Sequence, residues 1–446
     1  MLAFFKNRPV RLILAVILAV ALCWVVALYP FKKARHKSGD AAAFNLLLEA
    51  YSRVIEKYVE EPDSKKLVLK MVDGMLATLD PHSAYLPPEP YHEMEVQMSG
   101  AFGGVGIEIG TREGKLTVIA PIDDTPAFRA GILANDHIAK IDGITTNGMN
   151  ISAAVKKMRG TKGTPVTLTI IRGETAKPFV FTIIRDIIKI KSIKPRLLDS
   201  GYGLIRISQF QERTGWEFKE ALKELHAKSG GVMKGLIIDL RYNPGGLINS
   251  CVEVANCFVG DDIKNGAIVS IKGRTAESNH TYNATVGAKE PRYPVVILIN
   301  GGSASASEIV AGALQDHKRA IIMGTQSFGK GSVQSIFPMK GSAALKLTTA
   351  RYYTPSGRSI QAKGIIPDVE VPNIVPLPPK KQMPMLKEKD LEKSLASDGK
   401  PDNAEMKPPA SPHESVDRES DLNKDYQLRR AYELLQSITL LKEKGL

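Results

Sequence analysis

The sequence predicts an α/β protein of several domains with a central β-sheet. The chain has 446 residues, which is long enough for two or three domains. Over residues 195–371, apolar runs rich in β-branched residues alternate with helical patterns, which is typical of strands buried on both faces of a sheet. Over residues 98–186, short strand candidates bounded by glycine, Asp and Asn indicate a separate β-rich domain.

An uninterrupted apolar run over residues 12–28 opens the chain and predicts a membrane anchor. The run is near the lower limit of the about 17–25 residues that a spanning helix needs. Lysines and arginines flank both of its ends, so the positive-inside rule assigns no orientation. A cleaved signal peptide is the alternative, because Ala19-Val20-Ala21 has the form of a cleavage site, although more apolar residues follow it. We expect residues 1–39 to form this segment.

Residues 40–95 are predicted to be a helical region. Apolar residues recur at helical spacing over 44–58 and again over 67–79. Pro62-Asp63-Ser64 offers a stop and a new cap between the two helices, and Asp80-Pro81-His82-Ser83 ends the second.

The β-rich domain is assigned to residues 96–186. Its strand candidates are 105–109, 116–120, 137–141 and 166–171, with a helical stretch over 153–158. Gly103-Gly104-Val105-Gly106-Ile107 overlaps the start of the first of them. Successive backbone N–H groups in such a loop can form a nest for a carboxylate, although turns use glycine in any case.

The main domain is assigned to residues 187–371. Its strand candidates are 204–208, 235–240, 268–271, 295–299, 320–323, 333–337 and 345–353, and its helix candidates are 216–225 and 247–258. The proline-rich, charged residues 372–424 predict a flexible linker. A last helix is expected within 425–446, with an apolar stripe that can pack on its own domain or on a partner subunit.

Two segments of the main domain carry residues for hydrolysis. Gly302-Ser303-Ala304-Ser305-Ala306-Ser307-Glu308 follows a predicted strand and begins a predicted helix. Phe328-Gly329-Lys330-Gly331 and Val333-Gln334 come later. A serine at a helix start lies near unpaired N–H groups that can hold an oxyanion, and a desolvated lysine can act as its base. Helix capping explains one serine without chemistry, and spacing does not choose among the three.

These segments, together with Gly312-Ala313-Leu314-Gln315-Asp316, closely resemble the carboxyl-terminal processing peptidases, which are Ser-Lys serine proteases with an inserted PDZ domain. The resemblance covers about residues 40–372. It implies a crotonase/Clp-like peptidase core with a central sheet, an inserted PDZ domain, a helical N-terminal region and a C-terminal helix. The family also has the Leu-Asp-Pro-His-Ser segment found at residues 79–83.

The resemblance assigns the catalytic residues. The family's spacing between nucleophile and lysine falls on Ser305 and Lys330, and its glutamine falls on Gln334. Positions four apart share a face in a helix or a strand, so Gln334 is expected to orient the lysine amine. In the family, a backbone N–H of the Gly-Gly pair and that of the residue after the nucleophile form the oxyanion hole. We carry this over to Gly246 and Ala306, with Gly245 as the alternative.

The resemblance also assigns a substrate site in the PDZ domain. Gly104, Val105, Gly106 and Ile107 are expected to bind a substrate's terminal carboxylate. Arg172 matches a position at which family members have an arginine linked to substrate sensing, whereas an ordinary strand-end charge would be solvated.

Other chemistry is disfavoured. Asp316 and His317 are adjacent on a helix and point in different directions, which argues against a Ser-His-Asp relay. Despite a formal net charge of +13, no basic block is interleaved with aromatic residues, so nucleic acid is not expected as a partner. No Cys/His spacing suggests a metal site, no cofactor is expected, and Cys23, Cys251 and Cys257 are predicted to be free thiols.

The sequence therefore predicts a bacterial serine endopeptidase that processes proteins from their C-terminal ends. Its expected partners are proteins or peptides with free C-termini and, through the N-terminal segment, the inner membrane, with a homo-oligomer and an adaptor protein left open. The family places the catalytic part in the periplasm or otherwise outside the cytoplasm. The rival interpretations are a PDZ scaffold with an inactive peptidase half, which would have lost Ser305, Lys330 or Gln334, and an acyl-transfer or hydratase-like enzyme of the same fold.

Overall fold

The computed structural model describes residues 38–173, 177–260, 266–374, 422 and 424–445. The chain divides after Leu79 into two units. The predicted anchor over residues 12–28 lies outside the described residues, and so does Cys23. Within the described ranges, no helix combines the length and the apolar character needed to cross a membrane.

The first unit contains two helices, α1 (Ser38–Lys57) and α2 (Ser64–Ala77). Asp63 caps α2, because its Oδ1 accepts a hydrogen bond from Lys66 N at 3.0 Å. This bond satisfies one of the N–H groups that a helix leaves unpaired in its first turn. The helical spacing and the cap predicted from the sequence are both present.

The second unit contains a β-rich body that interrupts the main body in the chain. Its principal sheet has the order β3 (Ile107–Arg112), β4 (Lys115–Pro121), β5 (His137–Ile141), β7 (Pro165–Ile171) and β8 (Phe179–Ile184), and β6 (Ile144–Thr145) pairs with β5. A separate pair joins β2 (Ala101–Gly104) to β9 (Asp186–Lys189). Helices α4 (Pro126–Arg129) and α5 (Ile151–Met158) complete this body. Burial alternates along β7, as expected for a strand with one face in a core.

The main body is built on a six-stranded sheet. The strand order is β10 (Ile193–Leu198), β11 (Tyr202–Ile207), β12 (Gly235–Asp239), β15 (Val295–Ile299), β16 (Ile321–Gly324) and β19 (Val369–Glu370). All neighbours are parallel except β10 and β11. Because β12 and β15 are buried at every position, helices must cover both faces, as the continuous apolar runs predict.

Alternate residues of this sheet enter two different cores. One face packs against α6 (Thr214–Lys228), α7 (Ile248–Asn256) and α8 (Ala306–Asp316). The other face packs against α9 (Tyr426–Glu443), which buries Leu428, Ala431 and Leu435. The apolar stripe of the last helix therefore lies on its own domain.

A second sheet brings distant parts of the chain beside the site. β18 (Ala343–Tyr353) pairs with β17 (Ser332–Met339), with β13 (Ala267–Gly273) and with β1 (Ala84–Leu86), and β13 also pairs with β14 (His280–Asn283). The region 40–95, predicted to be helical, thus contains a strand of this sheet as well as α3 (Pro88–Ser99). The pairing of β1 holds the turn at residues 80–83 against β18.

The two described cysteines are free thiols, as predicted. Both belong to the region of α7, and burial raises the pKa of each thiol above its usual range. A raised pKa keeps the nucleophilic thiolate scarce, which assigns these cysteines to packing rather than chemistry.

Candidate active site

The turn between β15 and α8 carries the predicted nucleophile. Ser305 is the N-cap residue of α8, with φ 54° and ψ −112°. Few non-glycine residues adopt such a conformation, which persists where the surrounding structure enforces it. Asn300 holds the turn, because its Oδ1 accepts hydrogen bonds from Gly302 N and Tyr242 N, each at 3.0 Å. The nucleophile turn is thereby fixed to the segment that follows β12.

The three serines of this turn differ in what their hydroxyl groups bind. Ser303 Oγ donates to Leu240 O at 2.8 Å, and Ser307 Oγ donates to Asn243 O at 2.9 Å. Both side chains are fully buried. Among the described residues, Ser305 Oγ donates to no backbone carbonyl and instead meets the hydroxyl of Tyr352, whose pKa burial raises. A nucleophile must release its proton to a base, and Ser305 is the serine whose proton is not committed to a carbonyl.

Glu308, one turn into α8, connects the two predicted catalytic segments. Its Oε2 accepts hydrogen bonds from Ser305 N at 2.7 Å and Lys330 N at 2.9 Å. Its Oε1 accepts from Ser327 Oγ and Gly329 N, both at 2.6 Å. Burial raises the pKa of Glu308, and the four hydrogen bonds oppose that effect by stabilising the carboxylate. No local sequence pattern indicated this role for Glu308.

Lys330 lies half-buried in the loop before β17. Burial lowers the pKa of its amine, the charge of Lys346 lowers it further, and Glu308 raises it. A lowered pKa increases the fraction of neutral amine, which is the form that accepts a proton. Within the described part of the chain, Lys330 Nζ makes no hydrogen bond to Ser305 or Gln334. The structure brings the main chains of the serine and the lysine together without joining their side chains.

Gln334 lies on β17, beyond an irregularity in the strand. The register with β18 shifts between Val333 and Gln334, and Lys330 precedes the strand altogether. The regular helix or strand on which the shared-face argument rests is therefore absent between positions 330 and 334. Gln334 Nε2 donates to Ser332 Oγ at 3.0 Å and to Thr348 Oγ1 at 3.1 Å. Contact between Gln334 and Lys330 stays a prediction.

The glycine pair after β12 lies directly against the nucleophile turn. A Cβ on Gly245 would lie 2.8 Å from Ser305 Cβ and 3.0 Å from Ala306 N, and the residue has φ 106°. Gly245 N already donates to Asn243 Oδ1 at 2.9 Å. Among the described residues, the N–H groups of Gly246 and Ala306 donate no hydrogen bond. Ala306, whose N–H is free among the described residues, directly follows Ser305, whereas Gly245 N, the alternative donor, is occupied and Gly246 itself packs against the Phe210 backbone.

Asp316 and His317 form no relay. Asp316 Oδ2 accepts a hydrogen bond from Ser356 N at 2.8 Å, and Arg358 binds the same carboxylate. His317 Nε2 instead contacts Ala267 O at 2.6 Å. The two side chains have separate partners, as expected for neighbours on a helix.

A groove of the β-rich body contains the predicted carboxylate loop. A cavity of about 200 Å³ is bordered by the segment 104–107 and by apolar side chains of Phe102, Ile109, Ile151, Val155 and Met158. Gly106 has φ 81°. Val105 and Gly106 lie between β2 and β3, and among the described residues neither donates a hydrogen bond through its backbone N–H. The groove therefore combines an apolar floor with unpaired donors at one end.

Arg172 lies apart from the residues that line this groove. Its Nε donates to Asp136 Oδ1 at 2.7 Å, and its Nη2 donates to Asp136 Oδ2 and to Gly131 O, both at 2.8 Å. The guanidinium also lies over the Phe179 ring, 5.2 Å from its centre. Asp136 is fully buried. Arg172 is therefore a bidentate partner of a buried carboxylate, rather than a solvated charge.

Two comparisons with known proteins bear on this site. The sequence profile of peptidase family S41 matches residues 201–371, and that of the PDZ domain matches residues 103–180. The first range contains the candidate nucleophile, the lysine and the Gly-Gly pair, and the second contains the loop 104–107 and all the groove residues named above except Phe102.

Full-length relatives agree with these profiles. The chain is 44% identical to a carboxy-terminal-processing protease of Bartonella bacilliformis over 87% of this chain and 87% of that protein. It is 35% identical to carboxy-terminal processing protease CtpB of Bacillus subtilis over 74% of this chain and 68% of that protein. Among solved structures, the photosystem II D1 C-terminal processing protease matches with 28% identity and a TM-score of 0.42, over 74% of this chain and 92% of that one.

Proposed function

Since the chain belongs to the carboxy-terminal processing proteases of peptidase family S41 and carries a PDZ domain, we propose that it cleaves proteins in their C-terminal regions with Ser305 as nucleophile and Lys330 as base. Family membership makes it a serine-type peptidase. The observation that carries the residue assignment is that Ser305, alone among the three serines of its turn, donates to no backbone carbonyl among the described residues. The proposed oxyanion donors, Gly246 N–H and Ala306 N–H, donate no hydrogen bond among the described residues.

The proposed acylation uses these groups in sequence. Neutral Lys330 accepts the Ser305 proton as Oγ attacks the scissile carbonyl, and the negative oxygen that develops is held by Gly246 N–H and Ala306 N–H. Protonated Lys330 then gives its proton to the leaving amine, and the peptide C–N bond breaks to leave an acyl-enzyme. Water, deprotonated by Lys330, hydrolyses the ester and releases Ser305. Gln334 orients the amine throughout.

A side-chain movement must precede this chemistry. Lys330 Nζ makes no hydrogen bond to Ser305 or Gln334 among the described residues, whereas Glu308 already fixes both main chains. Rotation of the lysine side chain then suffices, because the backbone positions are set. We propose that substrate binding at the PDZ domain favours this rotation.

Contacts between the PDZ domain and the segment that contains Gly245 and Gly246 support this gating. Strand β2, which ends in the carboxylate loop, begins just after Gly100, and Gly100 packs tightly against the Gln211 side chain. The neighbouring Phe210 accepts a hydrogen bond from Leu247 N at 2.8 Å and donates its own N–H to Gly245 O at 2.9 Å. We propose that a displacement of β2 reaches the Gly-Gly pair through the packed contacts of Gly100, Gln211 and Phe210.

We assign capture of the substrate's terminal carboxylate to Gly104, Val105, Gly106 and Ile107. The apolar groove next to this loop fits an apolar C-terminal side chain. Arg172 acts in sensing through Asp136 rather than by touching the peptide.

Variants of the full chain test the assignment. Ser305→Ala and Lys330→Ala should abolish cleavage of an unstructured protein without altering the fold, because each removes a reacting group. His317→Ala should keep most activity, since its side chain binds a backbone carbonyl away from Ser305. Turnover by the Lys330 variant at the wild-type rate would overturn the proposal. Equal cleavage of free-acid and C-terminally amidated peptides, well below saturation, would overturn the carboxylate capture alone.

We also propose that residues 12–28 anchor the protein in the inner membrane with its catalytic part outside the cytoplasm. The apolar run supports this location. Deletion of residues 1–39 should release the protein from the membrane fraction of its host, and retention there would contradict the anchor.

A further inference from the structure

The side-chain amide of Gln334 is held at one end by two hydroxyl groups. Its Nε2 donates to Ser332 Oγ at 3.0 Å and to Thr348 Oγ1 at 3.1 Å. An amide nitrogen has two hydrogens, so both are engaged. Among the described residues, the carbonyl oxygen Oε1 accepts no hydrogen bond, and it is the atom left for a further partner.

The orientation of the Gln334 amide follows from the Asp80 carboxylate, which binds Thr348. Thr348 Oγ1 donates its single hydrogen to Asp80 Oδ1 at 3.1 Å. Asp80 also accepts from His82 N at 2.8 Å and Ser83 N at 3.0 Å through Oδ1, and from Ser83 Oγ at 2.7 Å through Oδ2. Burial raises the pKa of Asp80, but the hydrogen bonds from Ser83, His82 and Thr348 together lower it below its usual value.

An ionised carboxylate accepts hydrogen bonds and donates none. The Asp80 carboxylate therefore fixes the direction of the two hydrogen bonds that run from Gln334 to Thr348 and from Thr348 to Asp80. Because Thr348 must give its hydrogen to Asp80, its oxygen faces Gln334 as an acceptor. Gln334 must then present nitrogen to Thr348 and oxygen to the other side. Oxygen and nitrogen of an amide are otherwise interchangeable in shape, so the carboxylate decides between the two orientations.

The geometry points to Asp80 and Thr348 as positioning residues that turn the carbonyl oxygen of Gln334 toward Lys330. This inference rests on the proposed roles of Lys330 and Gln334. A neutral lysine amine that is to accept the Ser305 proton keeps its lone pair for the serine, so it should donate an N–H to its orienting partner. A carbonyl oxygen receives that N–H, whereas an NH₂ group would compete for the lone pair.

The position of the Asp80 turn is consistent with this role. Strand β1, which follows the turn, pairs with β18 beside Lys346, and Ser83 Oγ accepts a hydrogen bond from Thr348 N at 3.1 Å. The pKa of His82, in the same turn, is lowered by burial and then by the charge of Lys330. A turn far away in sequence thus supports the proposed base.

The test compares Thr348→Val, which removes the hydroxyl and keeps the branched shape, with Thr348→Ser, which restores it. Thr349→Val is the matched control, because its hydroxyl on the same strand binds Ser335 rather than Gln334. Full-length variants are assayed on a free-acid peptide for kcat, KM and melting temperature. Thr348→Val should lower kcat roughly tenfold or more with little change in KM. Thr348→Ser should retain most of kcat, and Thr349→Val should leave kcat unchanged.

The decisive comparison is the double variant. Thr348→Val should cause no further loss of kcat in a Gln334→Ala background, because its effect passes through that amide. An additive loss, or a wild-type kcat for Thr348→Val while Gln334→Ala is slow, would overturn the positioning role. Wild-type kcat for Gln334→Ala or Lys330→Ala would overturn the proposed function itself, and the positioning role with it. Should Thr348→Val not fold, Asp80→Ala removes the carboxylate that accepts the Thr348 hydroxyl hydrogen. The hydroxyl then no longer fixes the orientation of the Gln334 amide, and kcat should fall to a similar extent.

Discussion

At the scale of single residues, Glu308 joins two segments that the chain keeps apart. Its carboxylate binds Ser305 N and, 22 positions away, Lys330 N. A buried carboxylate with four donors fixes both main chains more rigidly than packing alone would. The preorganisation of this site therefore depends on a residue that does not react.

Glu308→Gln should destabilise the protein and slow cleavage. The amide retains one oxygen and places an NH₂ group against donors that need an acceptor, which leaves buried N–H groups unpaired at a cost of about 2–3 kcal/mol. Urea denaturation and peptide cleavage measure the two effects. Glu224→Gln is the control, because its exposed pair with Lys228 contributes little. Wild-type stability and wild-type kcat for Glu308→Gln would contradict the role.

Lys346→Gln should move the acidic limb of the kcat/KM profile to higher pH. The charge of Lys346 contributes to the lowered pKa of Lys330, so its removal raises that pKa and a higher pH is needed to form the neutral amine. Lys346→Arg should leave the limb in place, and so should Lys340→Gln on an exposed turn. A limb that stays fixed or moves to lower pH with Lys346→Gln would contradict the electrostatic account.

The sequence predicts candidate reacting groups, but it gives no sign of the residues that hold them in place. Family spacing indicated Ser305, which stays a prediction, and the hydroxyl groups of Ser303 and Ser307 donate to backbone carbonyls. The contacts of Glu308 with Lys330 and of Asp80 with Thr348 are tertiary, and no local sequence pattern predicts them. Asp80 could be seen as the end of a helix, but its partner Thr348 lies 268 positions later.

At the scale of elements, continuous apolar runs and periodicity predicted the parallel sheet and the helices around it. The irregularity in β17 was not predictable, because a register shift depends on how the strand meets β18. Lys330 and Gln334 therefore do not lie on one regular strand, and their spacing of four does not place them on the same face. The strand β1 was also missed within a region of helical spacing, since three residues give no periodicity.

The proposed route from the PDZ groove to Gly245 and Gly246 passes through the contact between Gly100 and the Gln211 side chain. Gln211→Ala should leave this contact loose and so reduce the advantage of free-acid over amidated peptides. Fluorescence anisotropy in a Ser305→Ala background should show peptide binding unchanged, since the groove is intact. Glu212→Ala, whose side chain is exposed, is the control. A preserved rate advantage in the Gln211 variant would exclude this route.

At the scale of the whole molecule, an ion-pair network fastens the last helix to the main sheet. Arg241, two residues after β12, donates to Asp239 at 2.9 Å and to Asp425 Oδ2 at 2.6 Å. Asp425 in turn caps α9 by accepting a hydrogen bond from Leu428 N at 3.0 Å. The same segment continues to Gly245, which lies against the Ser305 turn.

Asp425→Asn should lower the free energy of unfolding by about 2 kcal/mol at neutral pH. Although burial raises the pKa of Asp425, hydrogen bonds from Arg241 and Leu428 lower it below its usual value. A depressed pKa in the folded state contributes stability above the ordinary aspartate pKa, and this stability is lost as the pH falls through the folded pKa. Urea denaturation across this range should show the difference between wild type and variant shrink in acid. A difference that is constant with pH would contradict the charged pairing.

The proposed mechanism depends on removal of the Ser305 proton by Lys330. Labelling by a fluorophosphonate tests this step, when the site and rate of labelling are read by mass spectrometry of the digested full-length protein at neutral pH. A single adduct is expected on Ser305, formed in wild type and in His317→Ala and slowed about a hundredfold or more in Lys330→Ala. An adduct on Ser303 or Ser307, or labelling of Lys330→Ala at the wild-type rate, would contradict it.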